Sequence, residues 1–512
     1  MYISKHLSRK KIEGSWSLIV EGKLDSFPRE RITMDQIASK VEGKFPKLVL
    51  IKGAPGVGKT TLSWEMCRRW ANGELWTKYS LVVLLRLRDE DTQSAKHLTD
   101  LFQCEDACVP SVVDAVTQNH GQGILFILEG LDELPQSLRE KESIFRKLIT
   151  GRVLPGSTVL VTTRPWAVCD LPPSCSSRID QLIEILGFSS KQIQEYIDLM
   201  IKDGVPTELC EYINSNPRIS SAMYNPLHAR IAVEVYINSH EKKNSVFPNT
   251  TTELYTKYSE VLIERYVHDN PMHLESGWNG ELSELPSSLQ LYFDKLCQIA
   301  YNGITKEKQQ LVFFKDNILD ASTTLGFMNS VHPLHRPRNC SPSYNFLHLT
   351  LQEFLAAFYI CKNITPREQL ILFETKAGDE SYKMILLFLA GLTKLSDPWT
   401  QCVFPNPYMC YEEGSSKAEI KCTFSEDQIL WIYESQNTQV MKYMYNNVLY
   451  ELRRNASGRI EYLIALGYII ASADFKVILS NVSSLDEIDE FDTSTLVEGM
   501  KTCSQSFSLR GV

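Results

Sequence analysis

The sequence predicts an α/β domain built on a parallel sheet, followed by all-helical modules, in a chain of 512 residues that is long enough for several domains. Three observations predict it. Five short β-branched runs alternate with longer amphipathic segments between residues 47 and 188. Those runs are apolar on both faces, as strands of a parallel sheet covered by helices must be. Past residue 188 the strand-like runs give way to apolar residues at helical spacing.

Taken in order, residues 1–46 form a polar lead-in with one helical candidate over 34–41. KLVLIK, YSLVVLLRL, GILFIL, STVLVTT and IDQLIEILGF are the five strands, each bounded by glycine, proline or polar residues. Residues 189–200, 252–266, 289–301 and 349–360 read as helices, and Ser189 and Ser190 supply an N-cap for the first. Residues 269–286 are rich in Pro, Gly, Ser and acids and read as a loop. VHPLHRPRNCSPS, from Val331, reads as another, beside a short β-wing. A further helical block runs to about Ala473. FKVILSN, TLVEGMKTC and SFSLRGV then read as strand, helix and strand, the spacing of one leucine-rich repeat at which the chain stops.

A composition of 43% apolar and 22% charged residues is that of a soluble globular protein. The net charge of −9 gives no electrostatic footprint for a nucleic-acid backbone. The acids are not concentrated enough to suggest disorder, apart from a short run from Asp486 to Asp492. The 13 cysteines are odd in number and never spaced C-x-x-C, which argues against a disulfide framework and for reduced thiols in a cytoplasmic protein. The sequons at Asn249, Asn363, Asn455 and Asn481 are then chance matches. YLIALGYIIASA, from Tyr462, is about half a membrane span, so no transmembrane segment is expected. His332, His335 and Cys340 share one proline-rich loop and read as solvated rather than metal-bound.

Chemistry enters with GAPGVGKTT, residues 53–61, directly after the strand KLVLIK. Strand, glycine-rich loop and helix in that order form a phosphate-binding loop, with backbone amides turned inward and the positive helix end behind them. Gly53, Ala54, Pro55, Gly56, Val57, Gly58, Lys59, Thr60 and Thr61 are the predicted nucleotide-binding residues. Lys59 sits between the β- and γ-phosphates, and Thr60 donates its hydroxyl to magnesium. The fold class is thus that of a P-loop NTPase. ILFILEGLDELP supplies the second half of the magnesium site: Glu129 ends the strand, and Asp132 and Glu133 follow the sharp exit at Gly130. Thr60, Glu129 and Asp132 are the expected metal residues, and Asp132 or Glu133 the water-orienting base. An aspartate is the usual residue at the position of Glu129. STVLVTTRPWA ends its strand in Thr163 and Arg164, an arginine that either reads a γ-phosphate or is simply solvated.

The phosphate loop, EGLDELP, VTTRPWA and, much later, FLHLTLQEFLAAFYI together resemble a NACHT-domain protein, and more narrowly the NOD-like receptors among the signal-transduction ATPases. The resemblance covers about residues 47–473. It implies a lead-in over 1–46, a nucleotide-binding domain over 47–188, a small helical domain over 189–248, a winged-helix domain over 249–348, a second helical domain over 349–473 and the start of leucine-rich repeats over 474–512. It implies that Pro226 packs near the adenine and that His348 contacts the β-phosphate of ADP. By spacing alone His348 reads as a core histidine, and its role rests on the resemblance. Nothing before residue 47 resembles a caspase-recruitment, pyrin or death domain.

Two function classes follow. One is an ATP/ADP switch with Mg²⁺, ADP-locked and autoinhibited, forming a homo-oligomer on exchange and signalling to an adaptor in answer to a ligand, neither of which the sequence identifies. The other is a turnover ATPase or GTPase using Asp132 or Glu133. A small-molecule phosphotransferase fits less well, because no basic lid follows the loop.

Overall fold

In the computed structural model, residues 2–7, 30–39, 43–102, 109–134, 143–171, 175, 178–201, 209–211, 213, 222–241, 248–269, 278, 280–305, 313–314, 325–331, 343–379, 381–396, 408–411, 418–421 and 426–437 are described. The repeat-like end, the Tyr462 stretch, the Asp486 run, Asn455, Asn481 and the loop with His332, His335 and Cys340 lie outside them.

The five expected strands all form: β3 (Leu48–Gly53), β4 (Leu81–Arg86), β5 (Ile124–Glu129), β6 (Thr158–Thr163) and β7 (Ile179–Gly187). They pair in parallel in the order β7-β3-β6-β5-β4. Alternation along each strand sends side chains to two separate cores. Leu48, Leu50, Phe126, Leu128, Val159 and Val161 face one of them, closed by Phe145 and Leu148 of a short helix, Ile144–Thr150. Val49, Ile51, Leu125, Ile127 and Leu160 face the other, closed by Leu62 and Met66 of the helix after the phosphate loop. That helix is α1 (Lys59–Ala71).

The lead-in departs from expectation. Tyr2–Leu7 (β1) and Glu30–Ile32 (β2) extend the sheet, β1 antiparallel to both β7 and β2. The expected helix over 34–41 reduces to a 3-10 turn, Met34–Gln36, because Ile37 turns extended and Ala38 takes φ 55°. Ile32, Ile37 and Ala38 are buried against the α1 side of the sheet, so packing, not propensity, sets this segment.

Past the sheet come α2 (Ser190–Met200), α3 (Pro226–Glu241), α4 (Thr251–Asp269), α5 (Ser287–Thr305) and α6 (Leu349–Asn363), of which all but α3 were expected. Ser189 caps α2 in a full capping box with Gln192. Three short strands, Phe313–Phe314, Met328–Val331 and Ser343–Phe346, form a small antiparallel sheet where the β-wing was expected. Then follow α7 (Pro366–Lys376), α8 (Lys383–Thr393) and α9 (Glu426–Ser435), with an unanticipated hairpin, Tyr408–Tyr411 and Ala418–Lys421, before α9. One continuous core links these elements, from Ile193 to Ile432, with Tyr255, Phe354 and Phe388 at its centre. No described helix is long and apolar enough to cross a membrane. The described cysteines, Cys67, Cys175, Cys210, Cys297 and Cys361, are thiols.

Glu434 of α9, only 2% exposed, accepts the backbone N–H of Thr252 in the first turn of α4. Burial pushes its carboxyl up to about 7. A raised folded-state value means that the native state holds the proton more tightly. The contribution is therefore complete below the unfolded value near 4.5 and is lost as pH rises through 7. Glu434→Gln, which stays neutral, should show a smaller fall in apparent melting temperature than the parent between pH 5 and 8; parallel pH profiles would show that Glu434 does not titrate there.

Candidate functional site

The C-terminal ends of β3, β5 and β6 lie side by side, which places the loops that follow them around one point. After β3 the chain makes the phosphate loop. Gly56 and Gly58 take φ of 77° and 96°, the left-handed turns that swing backbone amides to one side. Val57 is 5% exposed and anchors the loop in the core, so it reaches the site through its backbone alone. Ala54 and Thr61 are exposed, Gly53 is buried, and Pro55, Gly56, Gly58, Lys59 and Thr60 are partly covered. Lys59 donates from Nζ to the carbonyls of Gly53 at 2.8 Å and Ala54 at 3.0 Å. Burial lowers its ammonium to about 8, with Asp132 opposing and Arg164 assisting that shift.

Thr60 Oγ1 donates to Glu129 Oε1 at 2.5 Å. The two side chains expected at a magnesium ion are therefore together, and the longer glutamate bridges the gap. Glu129 is 3% exposed and its Oε2 has no hydrogen-bond partner. Gly130 takes φ 80° and donates its N–H to Thr162 Oγ1 at 3.0 Å, which fixes the exit of β5. Asp132 pairs with Arg164. Its Oδ1 accepts the backbone N–H of Arg164 at 3.0 Å and its Oδ2 lies 3.2 Å from Arg164 Nε. Glu133 is a separate case: Oε2 is buried without a partner, and burial pushes the carboxyl up to about 8 against the pull of Arg88.

Arg164 is 7% exposed and not a solvated strand end. Its second tie is to Glu353 of α6, with NH1 to Oε1 at 3.0 Å and Glu353 only 1% exposed. His348 stands at the N-cap of the same helix, where Nδ1 accepts the N–H of Thr350 at 3.0 Å. That bond leaves the ring proton on Nε2. Burial, and then the charges of Arg164 and Lys59, lower the His348 imidazole to about 3, which favours the neutral ring.

Residues 224–227 close the site from another side. Asn225 Nδ2 donates to Pro55 O at 2.7 Å, and Leu227 N donates to Gly56 O at 3.2 Å. Pro226 opens α3 as its first residue, where its missing N–H costs nothing. A Cβ on Gly56 would lie 2.6 Å from Asn225 Oδ1, and one on Gly187 would lie 2.0 Å from Tyr224 O. Both glycines are therefore required by this contact.

Sequence reading located the loop, Glu129, Asp132, Glu133, Arg164, Pro226 and His348, and the structure brings all of them to one place. It missed Asn225, Arg88 and Glu353. The signal for Glu353 was a lone acid amid the apolar LQEFLAAF, a residue type that is buried only when paired.

A nucleotide with magnesium fits these residues. The loop amides and the α1 N-terminus form an anion cradle, and Lys59 carries a charge that burial disfavours. Glu129 Oε2 and Glu133 Oε2 are buried acceptors without donors. Among the described residues no three His, Cys, Asp or Glu side chains cluster for a metal.

A NACHT domain matches residues 47–203. Among curated proteins the chain is similar to human Protein NLRC5, at 25% identity over 62% of this chain and 16% of that protein. It is similar to human NACHT, LRR and PYD domains-containing protein 14 at 27% identity, over 68% of this chain and 33% of the relative. For mouse NACHT, LRR and PYD domains-containing protein 3 the values are 24%, 76% and 40%. The chain thus spans less than half the length of each. Among solved structures, the Pyrococcus horikoshii STAND protein PH0952 covers 90% of this chain, with 69% of its own length matched, at 9% identity and a TM-score of 0.28. The Aeropyrum pernix ORC1 protein, solved with DNA, covers 70% of this chain, with 93% of its own length matched, at 11% identity and a TM-score of 0.30. Superpositions that loose carry no argument, and the fold rests on the sheet order above.

Asn225→Ala removes one hydrogen bond to the loop, at Pro55 O, and one from Leu227 N within its own turn, worth about 1–3 kcal/mol together. A fall of several degrees in the first thermal transition is expected; an unchanged melt would show that the contact does not hold the loop.

Proposed function

The chain is a NACHT-domain protein related to the NOD-like receptors, and from that premise we propose that it is an ATP/ADP switch whose closed form is held by ADP. The observation that carries the reading is that side chains from outside the sheet grip the phosphate side. Asn225 and the Leu227 backbone hold the loop, Glu353 holds Arg164, and His348 lies near enough to Arg164 and Lys59 to feel both charges. A turnover enzyme has no need of such ties, whereas a switch needs a ligand that touches both halves of a bistable arrangement.

In this reading the loop amides and Lys59 hold the phosphates, and Thr60 and Glu129 hold Mg²⁺. Asp132 positions Arg164 rather than the metal. Pro226 covers the adenine, and His348 donates to the β-phosphate of ADP. Exchange to ATP breaks the His348 tie and lets the helical part swing out and form a homo-oligomer, which signals through an adaptor. Moving such an equilibrium from mostly closed to mostly open takes about 5 kcal/mol of differential affinity. Two or three charge-assisted hydrogen bonds, at about 1.5–3 kcal/mol each, are of that size. We assign the domains at 47–188, 189–248, 249–348 and 349–473, with leucine-rich repeats beginning at 474, in a cytoplasmic protein of innate immune type.

Hydrolysis is the second reading, favoured by the unpartnered Glu133 Oε2. Asp132 is committed to Arg164, so Glu133 is the carboxyl left to orient a water.

His348→Ala separates the two readings. As a switch, the variant releases bound ADP at least tenfold faster and self-associates when ATP is supplied. An enzyme would be indifferent to His348 and disabled by Glu133→Gln. Glu129→Asp withdraws the carboxylate by one methylene from Thr60 and should change the hydrolysis rate in either reading, measured as phosphate release; an unchanged rate would show that the longer side chain has no catalytic consequence.

A further inference from the structure

We propose that Glu353 is the residue that tells a nucleoside triphosphate from a diphosphate, by holding the guanidinium edge of Arg164 that a γ-phosphate would take. This rests on the switch reading above and names its discriminating contact.

Arg164 is held by two carboxylates with different consequences. Asp132 belongs to the same sheet and engages the backbone N–H and Nε, which fixes where the arginine starts. Glu353 engages the terminal NH1 from α6, the helix that begins at His348. A terminal phosphate can compete for NH1 without disturbing Asp132, because the guanidinium presents several N–H groups in a planar fork. It cannot share NH1 comfortably with Glu353, since the two anions repel at that range.

The asymmetry lies in what each side loses. Arg164 exchanges one anion for another. Glu353 loses the guanidinium that holds its Oε1: it is 1% exposed, and among the described residues Oε2 already lacks a partner. A buried carboxylate stripped of its cation carries a penalty large enough that the group must move to water. Glu353 sits one helical turn from His348, on the face of α6 toward Arg164, so it can reach water only if α6 moves. A diphosphate leaves the pair intact; a triphosphate breaks it. The affinity difference between the two nucleotides is thereby coupled to the position of α6.

The test compares Glu353→Gln with the parent full chain by titrating fluorescent ADP and a slowly hydrolysed fluorescent ATP analogue, with circular dichroism and a thermal melt alongside. Removing the charge should raise triphosphate affinity about tenfold or more with diphosphate affinity changed less than threefold, and should promote self-association with the analogue. Glu353→Asp, which keeps the charge but retracts it, should fall between the two, and supplies the same readout should the glutamine variant not fold. A folded Glu353→Gln or Glu353→Asp variant with the parent ratio of affinities overturns the proposal. His348→Ala in the same titration keeps the outcomes apart. If His348→Ala weakens ADP while the Glu353 variants change nothing, the switch stands and the role of Glu353 fails. If the parent binds neither nucleotide, both fail.

Discussion

Charge sealed from water has to be matched, and that constraint organises the whole phosphate side of the molecule. Lys59, Arg88 and Arg164 are drawn together with Glu129, Asp132, Glu133 and Glu353 where the strand ends meet. Each group shifts the others. Lys59 is lowered by burial and Glu133 raised by it, so neither is content in the charge state it has in water. A polyphosphate with a divalent cation redistributes that balance: it gives Lys59 an anion and gives Glu129 a cation. Ligand binding is therefore a change in the electrostatic conditions of every residue around it, including two that lie on α6.

Three helix N-termini converge on this point from different stretches of chain. α1 begins at Lys59 behind the loop, α3 begins at Pro226 with Leu227 bonded to Gly56, and α6 begins at His348. Each presents the positive end of its dipole. Bringing three such ends together without an anion is unfavourable, and an anion among them holds all three. In the proposed switch the closed arrangement and its ligand are two sides of one interaction, and moving negative charge outward by one phosphate would alter what holds α6 in place.

Strands β3 to β7 were legible because a strand buried on both faces must be apolar throughout, and no surface requirement interrupts the run. The phosphate loop was legible because close approach of backbone to phosphate leaves few residue choices at Gly56 and Gly58. β1 and β2 were not, since strands near a sheet edge carry polar residues that read as loop. Asn225 and Glu353 escaped for another reason: their contacts cross 170 and 189 residues, and no local pattern encodes a partner at that range. Glu353 showed only as an acid in an apolar helix, a conflict between local composition and burial that the distant Arg164 resolves. The resemblance to NOD-like receptors supplied His348 and Pro226, which spacing alone could not have separated from ordinary core residues.

The most direct measurement is the nucleotide content of the freshly purified monomeric protein, extracted and quantified by chromatography. The account predicts close to one ADP per chain, retained through prolonged dialysis. Protein that purifies empty and turns over added ATP many times would contradict it.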